Sequence, residues 1–74
     1  MAKKGSGTVY RVTEVIGTSG NSWEDAARNA VKTAASTLRD LRIAEVTKLD
    51  VRLDDKGNIA QFRTRLSLSF KYEG

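Results

Sequence analysis

Apolar and polar positions are interleaved from Thr8 to Ile16, in the run TVYRVTEVI, and the run is rich in β-branched and aromatic residues until Gly17 interrupts it. This pattern predicts a first strand over residues 8–16 that enters a turn, GTSGN. Tyr10, Val12, Glu14 and Ile16 share one face of that strand, and Val9, Arg11, Thr13 and Val15 share the other. Each face mixes apolar with polar side chains, so the strand is expected to be contacted on both sides, in part by another subunit.

The period then changes from two to nearly four. Trp23, Ala26, Ala27, Ala30, Val31, Ala34, Ala35, Leu38 and Leu41 recur at three- and four-residue steps, opposite Glu24, Arg28, Asn29, Lys32, Thr33, Ser36, Arg39 and Asp40. The spacing predicts one long amphipathic helix. Ser22 is its expected N-cap, with Asp25 three residues on and the acidic Glu24 and Asp25 in the first turn, where the helix dipole favours negative charge. Alanines dominate the apolar stripe, so the helix axis can lie close to a sheet, with Trp23 and Leu38 filling volume towards its two ends.

A second strand is expected over Ile43–Leu53. Its apolar parity switches midway, from Ala44 and Val46 to Leu49, Val51 and Leu53, which predicts a bulge near Thr47. The segment DDKGN then forms a hairpin connection in which Gly57 supplies a positive φ. In the third strand, Ile59–Tyr72, one face carries Phe62, Leu66, Leu68, Phe70 and Tyr72, and the other carries Arg63, Arg65, Ser67, Ser69 and Lys71. These elements imply an α+β fold in β-α-β-β order. Placing the third strand between the other two gives a three-stranded antiparallel sheet of order 1-3-2, with the helix on one face and the arginine-bearing face open to partners.

Seventy-four residues allow one domain, read here as residues 8–74 after a flexible arm, residues 1–7, that carries Lys3 and Lys4. A chain this short buries only roughly 60% of its surface. With no Cys and no His, it has no disulfide, Cys/His zinc site, thiol nucleophile or imidazole acid/base available. An enzyme is therefore not expected. The leader has no apolar run behind its lysines and no stretch is long enough for a membrane span, so a soluble, cytoplasmic protein without membrane contact is the expectation.

The segments YRVTEVIGTS, the alanine-rich helix, LRIAEV and LSLSFKYEG, in that order and spacing, resemble the dodecin family from about Val9 to Glu73. The resemblance implies a hollow shell of twelve identical protomers, and in typical members pairs of flavins stacked between subunits. It places the family's ligand pocket at Ile43, Glu45, Arg63 and Arg65. Ile43 stands where flavin-binding members carry a stacking tryptophan, and Arg63 stands where they carry a glutamine that bonds the ring edge. Losing an aromatic stack forfeits about 0.5–1.5 kcal/mol per pair, which counts against flavin. Trp23 is no substitute, because it sits at the helix start.

These departures resemble the subgroup called calcium dodecins and make calcium the candidate ligand. Calcium takes six to eight oxygens. The residues offering them are Ser19, Asn21, Ser22, Glu24 and Asp25, with Asp54, Asp55 and Asn58 of the hairpin as a second group. Plainer readings accompany each: a turn and helix cap for the first group, and an exposed hairpin for the second. Arg63 and Arg65 are read first as cross-strand partners of Glu45 or Asp50. Nucleic acid is not expected, because the aromatic residues Phe62, Phe70 and Tyr72 lie on the parity opposite the arginines. The reading is a non-enzymatic binding and storage protein that assembles as a homo-oligomer. Its alternatives are a flavin binder using the same inter-subunit cavity, with Arg63 on the phosphate, and an inert scaffold.

Overall fold

A computed structural model describes residues 7–72, so the expected arm lies outside the described residues apart from Gly7. The elements are β1 (Tyr10–Ser19), α1 (Trp23–Thr37), β2 (Leu41–Leu53) and β3 (Ile59–Lys71). Both β1 and β2 pair antiparallel with β3, giving a three-stranded sheet of order β1-β3-β2. Architecture and strand order are those the pattern predicted.

The expected break of the first strand at Gly17 does not occur. β1 runs through Gly17, which sits opposite Thr64, and ends at Ser19 opposite Phe62. Glycine is required there for space and not for a turn. A Cβ at this position would overlap the Ala26 carbonyl oxygen and lie 2.8 Å from the Ala30 Cβ, so the bare backbone lets α1 rest directly on the strand. On the helix, Ala26, Ala30 and Ala34 are buried and Val31 and Ala27 flank them.

The helix also stops earlier than its periodicity suggests. It ends at Thr37; Leu38 is extended, with its N–H bonded to the Ala34 carbonyl, and Asp40 takes a positive φ of 59°. Leu38 and Leu41 therefore do not lie on α1. Leu41 opens β2, opposite Phe70, and packs against the core from the sheet side. The i, i+3 spacing that mimics a helix is resolved here by the Phe70 side chain, which needs cover from its neighbouring strand. Trp23 and Leu38 remain partly exposed and do not plug the ends as expected.

The bulge expected near Thr47 is present as a register shift between Val46 and Lys48, and the Thr47 hydroxyl donates to the Arg65 carbonyl at 3.2 Å. In the hairpin, Gly57 has φ 85°. The Asp54 carboxylate accepts the Lys56 and Asn58 N–H groups at 2.9 Å each, which is the ordinary turn reading of DDKGN. Those backbone bonds, led by Asn58, hold the Asp54 carboxyl below its usual range.

The core is thin. Its buried apolar residues are Ala26, Ala30, Ala34, Leu66, Leu68 and Phe70. Thr64 is also fully buried, and its hydroxyl donates to the Trp23 carbonyl at 2.8 Å. Because α1 lies mainly over β1 and β3, the middle of the helix-side face of β2 is left uncovered, with Val46 51% and Leu49 53% exposed. The Cα radius of gyration is 16.1 Å, against about 11 Å for a compact domain of this length.

Candidate functional site

Register fixes what the open face of the sheet displays. Residues flanking one another across the strands form rows: Val12, Ser69 and Ile43; then Glu14, Ser67 and Glu45; then Ile16, Arg65 and Lys48; then Thr18, Arg63 and Asp50. The four expected pocket positions, Ile43, Glu45, Arg63 and Arg65, thus share one face. They do not form a single contacting group, because each lies in its own row.

Arg63 is already engaged. Its Nε donates to Asp50 Oδ1 at 2.7 Å and its Nη2 to Oδ2 at 3.2 Å, a two-pronged arginine–carboxylate pair. Of the two expected acidic partners, Asp50 is the one chosen and Glu45 is not. The Arg63 hydrogen bond is the leading cause that draws the Asp50 carboxyl below its usual range, and the same bond raises the Arg63 guanidinium. Ile43 is 52% exposed, an aliphatic side chain standing on an open surface. No described residue supplies an aromatic ring beside it on that face: Phe62 and Phe70 have helix-side parity, and Tyr10 lies at the strand end opposite Lys71.

The expected oxygen-rich segment lies on the other side of the sheet, where β1 hands over to α1. The Ser19 hydroxyl, buried at the strand end, donates to Asp25 Oδ2 at 2.6 Å and accepts the Asn21 N–H at 2.9 Å. Ser22 caps the helix by accepting the Asp25 N–H at 3.0 Å, and its carbonyl accepts the Ala26 N–H. Ser19, Asn21, Ser22 and Asp25 are therefore one bonded network, whereas Glu24 is exposed beside it. The donors are hard oxygens of the type calcium prefers, but one protomer gathers too few to fill its coordination shell. Among the described residues no group of three or more carboxylates, imidazoles or thiols converges on a point.

Sequence reasoning missed the strap that links these two regions. The Trp23 indole N–H donates to the Asp50 carbonyl at 2.9 Å, and its ring meets Phe62 edge-on with centroids 5.1 Å apart. One residue thus ties the helix start to the strand that holds the Arg63 partner. A signal was available in FRTRL, where Thr64 interrupts the apolar parity of β3: a polar residue at a core position implies a buried bond, here to Trp23.

A model of the family described as Dodecin matches residues 9–73, nearly the whole chain. The chain belongs to the dodecin family. It is 44% identical over 64 residues to the calcium dodecin of Mycobacterium tuberculosis, covering 86% of this chain and 89% of that protein. Two solved structures extend the likeness. The dodecin of Streptomyces coelicolor superposes with a TM-score of 0.84 at 43% identity, covering 93% of this chain and 97% of that one. The M. tuberculosis calcium dodecin, described as calcium chelating and as having a novel calcium-binding site, superposes with a TM-score of 0.77 at 43% identity, over 88% and 91%. In this dodecin no described helix is long and apolar enough to cross a membrane.

Proposed function

We propose that this dodecin is a non-catalytic binding and storage protein. Its copies close into a hollow dodecamer, and its ligand is calcium in place of flavin. The observation that carries the ligand assignment is the Ser19–Asp25 contact, where a buried strand-end hydroxyl and a helix carboxylate converge at 2.6 Å. Calcium bound there would take oxygens from Asp25, Ser19 and the adjacent Asn21, Ser22 and Glu24, and water or a second copy would complete the shell. The likeness to a calcium dodecin supports this assignment. The open face supports it from the other direction, since Arg63 is clamped to Asp50 and position 43 offers no ring on which a flavin would stack. A storage role without chemistry agrees with a sequence that has no Cys or His.

Native mass spectrometry in calcium-containing volatile buffer, followed by calorimetric titration, tests both halves. The expected result is a dodecamer carrying calcium that Asp25→Asn loses while the dodecamer persists. A monomer sinks the assembly. Unchanged calcium affinity in Asp25→Asn sinks the site, and tight stoichiometric binding of riboflavin or FMN sinks the choice of ligand.

A further inference from the structure

Asn21 stands between the end of β1 and the Ser22 cap of α1, exposed and followed by a small residue. Its own N–H donates to the Ser19 hydroxyl, but its carboxamide takes part in no hydrogen bond among the described residues. The next backbone nitrogen is equally free. In a capping box the carboxylate three residues into the helix reaches back to the N–H of the cap residue. Here the Asp25 carboxylate accepts the Ser19 hydroxyl at 2.6 Å instead, and the Ser22 N–H has no acceptor among the described residues. Gly20, just ahead, leaves the turn uncrowded: a Cβ there would meet no atom within 4 Å.

From this arrangement we infer that Asn21 is a self-modifying residue, which deamidates through the Ser22 nitrogen and adds one negative charge to the oxygen-rich loop. The Ser22 nitrogen gives up its proton and attacks Cγ of Asn21. The Cγ–Nδ2 bond breaks and the carboxamide nitrogen leaves as ammonia, so a five-membered imide closes. Water then opens one of the two imide carbonyls and returns the proton to the Ser22 nitrogen. Opening at Cγ yields aspartate, and opening at the backbone carbonyl yields isoaspartate, with one carboxylate in either case. Nothing is oxidised or reduced, and water is the only co-reactant. The other two asparagines of the chain lack this pairing. Asn29 lies inside α1 and its Nδ2 donates to the Thr18 carbonyl at 3.0 Å. The backbone of Asn58 is pinned to Asp54 through both its N–H and its carbonyl, and the β-branched Ile59 crowds the nitrogen that would attack.

The new carboxylate joins Asp25 and Glu24 beside Ser19, so the loop gains affinity for a cation as the protein ages. This second step rests on the calcium site proposed above, whereas the modification itself does not. Trypsin separates the three asparagines into three peptides, so one mass map of the full assembled chain, aged in mildly alkaline buffer, compares them directly. The Asn21 peptide should gain about 1 Da in a growing fraction of molecules, at least about tenfold faster than the Asn29 or Asn58 peptide. An Asn21 peptide that stays intact, or that changes no faster than the other two, overturns the inference. Calorimetric titration then compares fresh protein with Asn21→Asp and with the aged form separated by ion exchange, both of which should bind calcium about tenfold more tightly. Equal or weaker binding by both overturns the gain in affinity and leaves the modification standing. Calcium binding by none of the three, with the mass change present, overturns the proposed ligand instead.

Discussion

β2 and β3 are both thirteen residues long, are joined by one hairpin and carry similar numbers of apolar side chains, yet they have opposite fates. On β3, Leu66, Leu68 and Phe70 are buried beneath α1, with Thr64 among them. On β2 no residue is buried: Ala44, Val46 and Leu49 point to the helix side, but the helix lies over the other two strands. The apolar residues of β3 therefore specify the protomer, whereas those of β2, apart from Leu41 beside Phe70 and the half-buried Val51, do little for it. Twelve large apolar side chains are exposed among the described residues, and five of them, Ile43, Val46, Leu49, Leu53 and Ile59, belong to β2 or to the start of β3 beyond the reach of β1. So much uncovered apolar surface on so small a chain implies a partner surface.

Leu68→Ala and Leu49→Ser should separate the two strands most sharply. Truncating the fully buried Leu68 should cost about 2–5 kcal/mol and lower the urea midpoint at every protein concentration. Leu49→Ser should instead shift the midpoint by an amount that depends on protein concentration, because its loss is felt through association. A concentration-independent shift in Leu49→Ser would break the comparison.

Gly17→Ala probes how tightly the covered side is closed. The added methyl meets the Ala26 carbonyl and Ala30, so overpacking should cost roughly 1–3 kcal/mol in thermal or urea unfolding. Wild-type stability in that variant would show that α1 sits less closely on β1 than the contact implies.

The smallest effect concerns Asp50. Its folded pKa is depressed, so the stabilisation from the Arg63 pair is present above the unfolded-state pKa and is lost as pH falls through the folded one. Asp50→Asn should therefore lose the part of the acid dependence of unfolding that comes from this residue. Both partners are solvent-exposed, so the change should be slight.

The Thr47 bulge, the Ser22 cap and the positive φ at Gly57 could all be read from the chain, because each rests on a short-range pattern, and strand order followed from placing the third strand between the other two. The boundaries at Gly17 and Leu41 could not. Both depend on what lies across the fold, the helix backbone over Gly17 and the Phe70 ring beside Leu41, and a local period carries no record of either. The same division runs through the candidate sites. Cap chemistry explains why the Ser22 hydroxyl accepts the Asp25 N–H, and that was legible; the bond from Ser19 to the Asp25 carboxylate was not. The choice of Asp50 over Glu45 as partner of Arg63 depends on register, which sets Asp50 directly opposite Arg63 and Glu45 opposite Ser67, four residues further along β3.

Trp23 is the sole tryptophan of the chain, and its indole is anchored between the Asp50 carbonyl and the edge of Phe62, beside the Ser22 cap and two residues before Asp25. The protein thus carries its own optical probe at the junction between the oxygen-rich loop and the sheet. Its emission reports whether that junction is closed without any attached label, and it can be followed in the same titration that measures calcium.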